Sequence, residues 1–266
     1  MKTINGTKMN NVMSVKNVEG VRYDLLAGAD VFYGNGLDFV EVNGGLGSDL
    51  ISLFNSTDVW SFGNEGTDHF RIEGGAYNFV LDSQGPSLVQ LVNTNYGRIS
   101  LGNESDVVSV TGGIGSNIET LGGADNITIT DPEKGLRVNA GDDADNIRIN
   151  FNKMLDGNID LGFIRTGSGP DTIEINAWMW GGGEIGVAAA NVMLNLPDFD
   201  QQEGDRLLVN GRGLDQAIVD GGDVHFDTFG PQGQPTRITV AGPGWQQPDG
   251  IINSYTFATG GSEGWG

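Results

Sequence analysis

The chain has 266 residues, of which 44 are glycine, and its 35 acidic residues against 14 basic ones give a formal net charge of −21. Proteins that bind a phosphate backbone carry a surplus of Lys and Arg, so this composition argues against a nucleic-acid partner. The sequence lacks cysteine, which excludes disulfides and cysteine-based zinc sites, and it has no apolar run long enough for a transmembrane segment. Such an acidic chain repels itself unless cations neutralise it, and divalent metal ions are the obvious candidates.

The first predicted element is an N-terminal cap over residues 1–23, and a repeat begins directly after it. Asp30 and Asp49 are nineteen residues apart, and each follows a glycine-rich turn. The same spacing separates Asp106 from Asp125. A fixed period of this length is typical of a solenoid, in which each repeat forms one coil.

Between the turns, apolar residues alternate with polar ones, as at Ile51/Leu53 and Ile127/Ile129. This period of two predicts strands with one buried face, and the Gly, Asp and Asn residues between them predict tight turns. Two strands and two turns per repeat predict an all-β parallel β-roll, or β-solenoid, of about seven coils over residues 24–176. A β-sandwich also has strands at this spacing and is the alternative, although it does not require the same turn chemistry in every repeat.

The acidic residues that follow the turns predict calcium sites. Ca²⁺ prefers about six to eight oxygen ligands from carboxylates and backbone carbonyls, and the stacked turns of neighbouring coils can share one ion. We predict two rows of ions along one edge, separated at Ser87, which carries no charge. The predicted metal-ligating residues are Asp30, Asp49, Asp68, Asp106, Asp125, Asp145 and Asp171, together with the turn residues Gly28, Gly45, Gly47, Gly66, Gly123 and Asp143. The alternative is a metal-free solenoid whose Asp and Asn residues only cap the turns.

The intervening turns, on the opposite edge of the predicted solenoid, carry fewer acids. Asp38 and Asp58 occupy this turn in the first two repeats. In the later repeats the equivalent position is uncharged and holds Asn78, Gly97, Asn117 and Leu136. We therefore expect this second edge to be the poorer one for binding cations.

The turn sequences resemble the RTX family, the hemolysin-type calcium-binding repeats with the consensus G-G-x-G-x-D-x-U-x. Gly44-Gly45-Leu46-Gly47-Ser48-Asp49-Leu50-Ile51 matches this consensus fully, and residues 63–68, 122–125 and 167–171 match it in part. The units average about nine and a half residues here, against about nine in most members of that family. The resemblance implies a parallel β-roll that folds on Ca²⁺, in a bacterial protein exported by a type I secretion system.

Residues 177–266 lose the regular spacing, and we predict that they form a small all-β C-terminal cap. The segments Asp198-Phe199-Asp200 and Gly204-Asp205-Arg206-Leu207 resemble the region that follows the repeats in many RTX proteins. That resemblance implies an uncleaved signal for type I secretion beyond the cap. A cap is also needed physically, because an uncovered last coil exposes an edge that aggregates.

An enzyme is the main alternative to a calcium-binding module. The H-E-x-x-H motif of zinc proteases is absent, and the Arg and Glu residues predicted to face outward are scattered. Trp178 and Trp180 could stack on sugar rings or could cover the last coil. We therefore predict a non-enzymatic, calcium-binding module that is extracellular or at the cell surface, with surface or matrix polysaccharide as a further partner. The alternatives are a polysaccharide lyase, epimerase or depolymerase, and the terminal domain of a longer RTX enzyme.

Overall fold

The computed structural model describes residues 1–152, 158–177, 190–200, 202–211, 218–220, 223–229, 235–241 and 258–259. Within those ranges every regular element is a β-strand, so none of the described residues forms a helix that could cross a membrane. The strands are β1 (Lys2–Asn5), β2 (Val12–Lys16), β3 (Val21–Asp24), β4 (Val31–Asn35), β5 (Asp38–Leu46), β6 (Leu50–Phe54), β7 (Thr57–Glu65), β8 (Asp68–Glu73), β9 (Phe79–Leu81), β10 (Ser87–Val92), β11 (Arg98–Ser100), β12 (Val107–Thr111), β13 (Asn117–Glu119), β14 (Asn126–Thr130), β15 (Leu136–Asp142), β16 (Asn146–Asn150), β17 (Asn158–Ser168), β18 (Thr172–Ala177), β19 (Ala190–Asn195), β20 (Arg206–Gly211), β21 (Ile218–Asp220), β22 (Asp223–Phe229), β23 (Pro235–Ala241) and β24 (Ala258–Thr259).

The strands form two long sheets, and each coil of the chain contributes one strand to each. Sheet A contains the odd-numbered strands from β1 to β19 in sequence order, and sheet B contains the even-numbered strands from β2 to β20. Neighbouring coils pair in parallel, and Ile51 lies beside Phe70, nineteen residues further on. The predicted all-β parallel solenoid is therefore confirmed, with about eight coils rather than about seven. The β-sandwich is excluded, because its sheets are antiparallel.

The core lies between the two sheets and is built from the inward-facing residues of each coil. In sheet B, each core residue stacks on its counterpart in the next coil, and the series Phe32, Ile51, Phe70, Val89 and Val108 is at most 1% exposed. β-branched and aromatic side chains suit such a pleated surface. One coil alone cannot bury its apolar stripe, so the stacking of neighbouring coils supplies most of the stability.

One corner of the early coils alternates between asparagine and glycine for a steric reason. Asn17, Gly36, Asn55, Gly74 and Asn93 are nineteen residues apart, and all lie in the left-handed region with φ between 47° and 71°. Asn17 Oδ1 and Asn55 Oδ1 lie 2.6 Å from the positions that a Cβ on Gly36 and on Gly74 would occupy. Asparagine tolerates the left-handed conformation, and its amide fills the space that the next glycine leaves open.

The first and last strands continue the two sheets. β1 pairs with β3 and β2 pairs with β4, both in parallel, so the early residues already belong to the solenoid sheets. At the other end, β23 joins sheet A beside β19 and leads through the antiparallel strands β22 and β21. In sheet B, β24 pairs with β20. Trp178 and Trp180, which were predicted to cover the last coil or to bind sugar, lie outside the described residues.

Candidate metal site

The seven predicted aspartate ligands form one column where the chain leaves a turn and enters sheet B. Asp49 directly precedes β6 and Asp106 directly precedes β12, and the coil period returns the same position in each later coil. Asp205, which precedes β20, extends the column. We call this column the aspartate row, and its members are Asp30, Asp49, Asp68, Asp106, Asp125, Asp145, Asp171 and Asp205, each at most 3% exposed.

Backbone hydrogen bonds connect the members of the aspartate row. One carboxylate oxygen, Oδ1, of each aspartate accepts a hydrogen bond from the backbone N–H at the same position in the preceding coil. Asp30 N donates to Asp49 Oδ1 at 2.8 Å, and Asp49 N donates to Asp68 Oδ1 at 2.7 Å. Bonds of 2.8 to 3.0 Å join the later members in the same way, from Asp106 through Asp125, Asp145 and Asp171 to Asp205.

The second oxygen, Oδ2, is buried without a hydrogen-bond donor in seven members of the row. These seven are Asp30, Asp49, Asp68, Asp106, Asp125, Asp145 and Asp171, the same residues that the sequence predicted as ligands. A buried polar atom without a partner is unfavourable, and a buried charge is more so. The row therefore presents a line of oxygens that either protons or cations would satisfy.

Burial raises the pKa of the carboxyl groups in the row. The pKa rises to about 6 for Asp49 and Asp125, to about 7 for Asp68, Asp106 and Asp171, and to about 8 for Asp145. For Asp145, repulsion from Asp125 and Asp171 adds to burial, while a hydrogen bond from a backbone N–H opposes it. Loss of water disfavours the charged form of a carboxyl group, whereas a nearby cation favours it. Without a cation, part of the row is therefore protonated near neutral pH.

The row is interrupted at Ser87, but a second aspartate supplies a carboxylate there. Ser87 N donates to Asp106 Oδ1 at 2.6 Å, so the series of hydrogen bonds from backbone N–H to carboxylate continues from Ser87 into the next coil. On the other side, Asp68 N donates to Pro86 O at 3.2 Å instead of to a carboxylate. Asp82 is 2% exposed and accepts a hydrogen bond from Ser87 Oγ at 2.7 Å. The row therefore breaks at Ser87, where the sequence placed the break, but a buried acid five residues earlier, just after β9, lies beside it.

The predicted turn residues occupy the loops that lead into the row. Asp143 is exposed, and its Oδ2 accepts a hydrogen bond from Gly123 N at 3.3 Å, so it lies at the surface of its turn rather than in the buried row. Positive φ values from 93° to 143° occur at all five predicted turn glycines, which are Gly28, Gly45, Gly47, Gly66 and Gly123. Residues with a Cβ adopt such φ values only at a cost, so the turns that lead into the row favour glycine at these positions.

The geometry suits cations shared along the row better than an isolated metal centre. In the described part of the chain, no three acidic or histidine side chains form a group that could hold an ion by themselves. Most row members offer a single free oxygen, so an ion would have to contact the carboxylates of two neighbouring coils. The turn carbonyls of Leu46 and Glu65 each accept a backbone hydrogen bond, at 2.8 and 2.7 Å. A carbonyl oxygen has two acceptor sites, so each of these two oxygens can still contact a cation. Both lie close in sequence to an aspartate of the row.

The opposite edge of the coils uses uncharged hydrogen-bond acceptors. Leu37 N donates to Ser56 Oγ, and Val59 N donates to Asn78 Oδ1, both at 3.2 Å. Asp38 lies opposite Thr57 in the sheet register, so it does not stack on Asp58. The equivalence predicted for these two acids is wrong by one residue, because the coil here has nineteen residues and the two acids are twenty apart.

Two buried acids beside the predicted ligands were missed by sequence reasoning. Asp205 completes the row, and its Oδ2 accepts a hydrogen bond from Asp200 N at 2.8 Å. The sequence feature that could have identified Asp205 is the segment Gly204-Asp205-Arg206-Leu207, which repeats the turn and strand pattern of the earlier coils. The signal of Asp82 was weaker, because the equivalent place holds an apolar, glycine or threonine residue in the other coils, apart from Asp200 before Asp205.

Substitutions at Asp145 separate the charge of the row from its hydrogen bonds. In EDTA at about pH 8, we expect Asp145→Asn to raise the free energy of unfolding by about 1 kcal/mol, since it removes a buried charge and keeps the acceptor for Asp125 N. Asp145→Leu should be about 1–3 kcal/mol less stable than Asp145→Asn, because it leaves that N–H without an acceptor. Urea denaturation followed by circular dichroism measures both values. Equal stabilities of the two variants would show that the hydrogen bond contributes nothing.

The outward faces of the sheets carry separate ion pairs. Arg71 Nη2 lies 3.1 Å from Glu73 Oε2, and Arg148 Nε lies 2.7 Å from Glu174 Oε2 four strands further along sheet B. Exposed pairs of this kind contribute little to stability. Among the described residues, these acids and bases are distributed over distant coils, as the sequence predicted.

Comparison with known proteins gives no match, either to a family model or to a curated protein. The likeness of the turns to RTX repeats therefore rests on the motifs of this sequence, while the fold and the aspartate row rest on the geometry of the chain itself.

Proposed function

We propose that this chain is a structural β-roll module of the RTX type, which folds when its aspartate row binds Ca²⁺ outside the cell. The observation that carries the proposal is the line of seven buried Oδ2 atoms without a donor. In each of these carboxylates the other oxygen bonds to the backbone of the preceding coil, as in Asp49 and Asp68. The unpaired atom therefore cannot turn towards solvent unless the link between the coils breaks.

The residues of the row fit a hard cation. Oxygen ligands in a flexible arrangement are the ligands that Ca²⁺ accepts, and the row offers carboxylates from two adjacent coils for each ion. The glycine-rich turns, such as residues 44–49, would complete the ligand set with backbone carbonyls. Bound Ca²⁺ would supply positive charge that offsets the repulsion among the buried carboxylates.

Cation binding is coupled to folding because the row exists only in the folded chain. The ligands of one ion come from positions about nineteen residues apart, and only stacked coils bring them together. In the unfolded chain no such site is formed, so the free energy of cation binding adds directly to the stability of the solenoid.

The proposal extends to an extracellular or cell-surface location reached by type I secretion. Its support is the resemblance of residues 24–176 to RTX repeats, together with the net charge of −21, which favours an expanded chain in the absence of cations. Extracellular calcium modules bind with dissociation constants of about 10⁻⁴–10⁻³ M, so such a chain would stay unfolded at cytosolic calcium levels and fold outside. Polysaccharide of a bacterial surface or matrix is the partner proposed in that setting.

The test is a calcium titration of the chelator-treated chain, followed by far-UV circular dichroism. We expect the β-sheet signal to be incomplete in EDTA, where only part of the chains are folded, and to rise to its full value with a midpoint of about 10⁻⁴–10⁻³ M Ca²⁺, then to fall back when EDTA is restored. Mg²⁺ at the same concentration is the control and should have a weaker effect, because it requires a stricter octahedral geometry. A complete β-sheet signal in EDTA that Ca²⁺ leaves unchanged would overturn the proposal.

A further inference from the structure

The break in the aspartate row brings two buried carboxylates together. Asp68 ends the first part of the row, and Asp82 lies in the next coil, directly after β9. They are 1% and 2% exposed, and their carboxyl groups lie within hydrogen-bonding reach of each other. Five residues before the other row members, the chain has an apolar, glycine or threonine residue from Leu25 to Thr166, and the remaining acid, Asp200 before Asp205, is exposed.

Gly63 creates the space that the two carboxylates share. If this glycine carried a Cβ, the atom would lie less than 3.0 Å from both Asp68 Oδ2 and Asp82 Oδ2. Both oxygens therefore point into the same small volume beside the backbone of Gly63. Asp82 Oδ2 accepts a hydrogen bond from Ser87 Oγ, whereas Asp68 Oδ2 has no donor.

Among the residues that the structure describes, no cationic side chain forms an ion pair with either carboxylate. The ion pairs of the described residues involve Arg22, Arg71 and Arg148, and none of them reaches Asp68 or Asp82. Burial raises the pKa of both carboxyl groups, and repulsion from Asp82 contributes to the value of about 7 at Asp68. Two uncompensated carboxylates in one buried volume are unfavourable unless a cation lies between them.

We propose that Asp68 and Asp82, assisted by Ser87, form a separate site for one divalent cation and that this site is occupied before the rest of the row. It deepens the proposed function and rests on it for the choice of Ca²⁺. The affinity of a calcium site increases with the number of charged ligands, and this site directs one oxygen from each of two carboxylates at a single volume. A regular part of the row offers one free oxygen from each coil.

The test is isothermal titration of the chelator-stripped full chain with CaCl₂ at about pH 7.5, comparing the wild type with Asp82→Asn. The asparagine keeps the size of the side chain and an acceptor for Ser87 Oγ, so the fold should persist. We expect the tightest binding step to disappear or to weaken by about tenfold or more, with one ion fewer bound at saturation. In EDTA, the variant should unfold at a temperature no lower than that of the wild type, because a buried repulsion has been removed.

Two control variants separate this site from a general effect of charge. Asp58→Asn removes the same charge from an acid outside the row that forms no ion pair with a described residue, and it should leave the tight step unchanged. The double variant Asp82→Leu/Ser87→Asp keeps the net charge and recreates the arrangement of Leu101 and Asp106. It should lose the tight step and restore the regular row.

The outcomes distinguish this inference from the proposed function. Unchanged tight binding in Asp82→Asn would overturn the inference and leave binding along the row intact. A wild-type chain that binds one ion, and loses it in Asp82→Asn, would support the inference and contradict binding along the row. A wild-type chain that binds no Ca²⁺ would overturn both.

Discussion

In EDTA, the free energy of unfolding should fall as the pH rises from about 5 to about 8, the reverse of the behaviour of carboxylates that form ion pairs. The reason is that burial raises the pKa of the row aspartates in the folded chain, to values from about 6 for Asp49 to about 8 for Asp145. The same groups in an unfolded chain titrate near 3.8. At pH values between the pKa of these groups in the unfolded chain and their pKa in the folded chain, the folded chain binds more protons than the unfolded chain.

The sign of the effect follows from that difference in bound protons. The stabilising contribution is complete below the pKa of the unfolded chain, and it is lost as the pH rises through about 6 to 8, where the folded row ionises. One unit of pKa shift corresponds to about 1.4 kcal/mol, so several row members together should lower the stability by at least about 3 kcal/mol between pH 5 and pH 8. A loss of that size is a large fraction of the stability of an ordinary domain.

Calcium provides the control for the pH experiment. Metal ligands must be deprotonated, so saturating Ca²⁺ should restore stability at about pH 8 and have little effect at about pH 5. Urea midpoints at constant ionic strength, with and without Ca²⁺, measure both effects. Stability that increases with pH in EDTA would contradict the burial of ionisable carboxyl groups in the row.

The fold could be predicted because its signals are local and repeat in every coil. Alternating pairs such as Ile51 and Leu53 define a buried strand face, and the nineteen-residue period fixes which strands become neighbours. In sheet B the sequence register and the structural register agree, as at Ile51 and Phe70, because a shift by one residue would turn the apolar face outward. The coil count was low by about one because β1, β2, β19 and β20, which lie outside residues 24–176, also join the sheets.

The site was only partly predictable because spatial neighbours need not be at equivalent positions in the repeat. Asp49 and Asp68 were found from spacing alone, since stacked coils place equivalent residues in one column. Asp82 was not found, because it reaches the row from the end of a sheet A strand rather than from the start of a sheet B strand. Its contact with Ser87 depends on how the turn folds back, and the space beside Gly63 depends on side-chain packing between coils.

The second large effect is expected at Gly66, in the turn that leads to Asp68. Its φ is +143°, a conformation that is unfavourable for residues with a side chain, and a Cβ at this position would collide with the carbonyl oxygen of Gly47 in the preceding coil. Strain and overlap both act on backbone atoms that cannot move without separating the coils. We expect Gly66→Ala to lower the free energy of unfolding by about 3 kcal/mol or more.

Gly20→Ala is the control for Gly66→Ala, because it places a side chain at a positive φ without a collision between coils. Gly20 also has a positive φ, +66°, but no atom lies within 4 Å of the position that its Cβ would take. The cost there should be about 1 kcal/mol, the strain of a left-handed residue alone. Urea denaturation of the two variants in Ca²⁺ measures the difference, and equal losses would show that the close contact between turns does not limit the fold.

A larger loss at Gly66 would mean that the turn must approach its neighbour this closely for Asp49 N to reach Asp68 Oδ1, at 2.7 Å. The glycines would then be required by the aspartate row itself, since each one sets the distance across which two coils share their carboxylates.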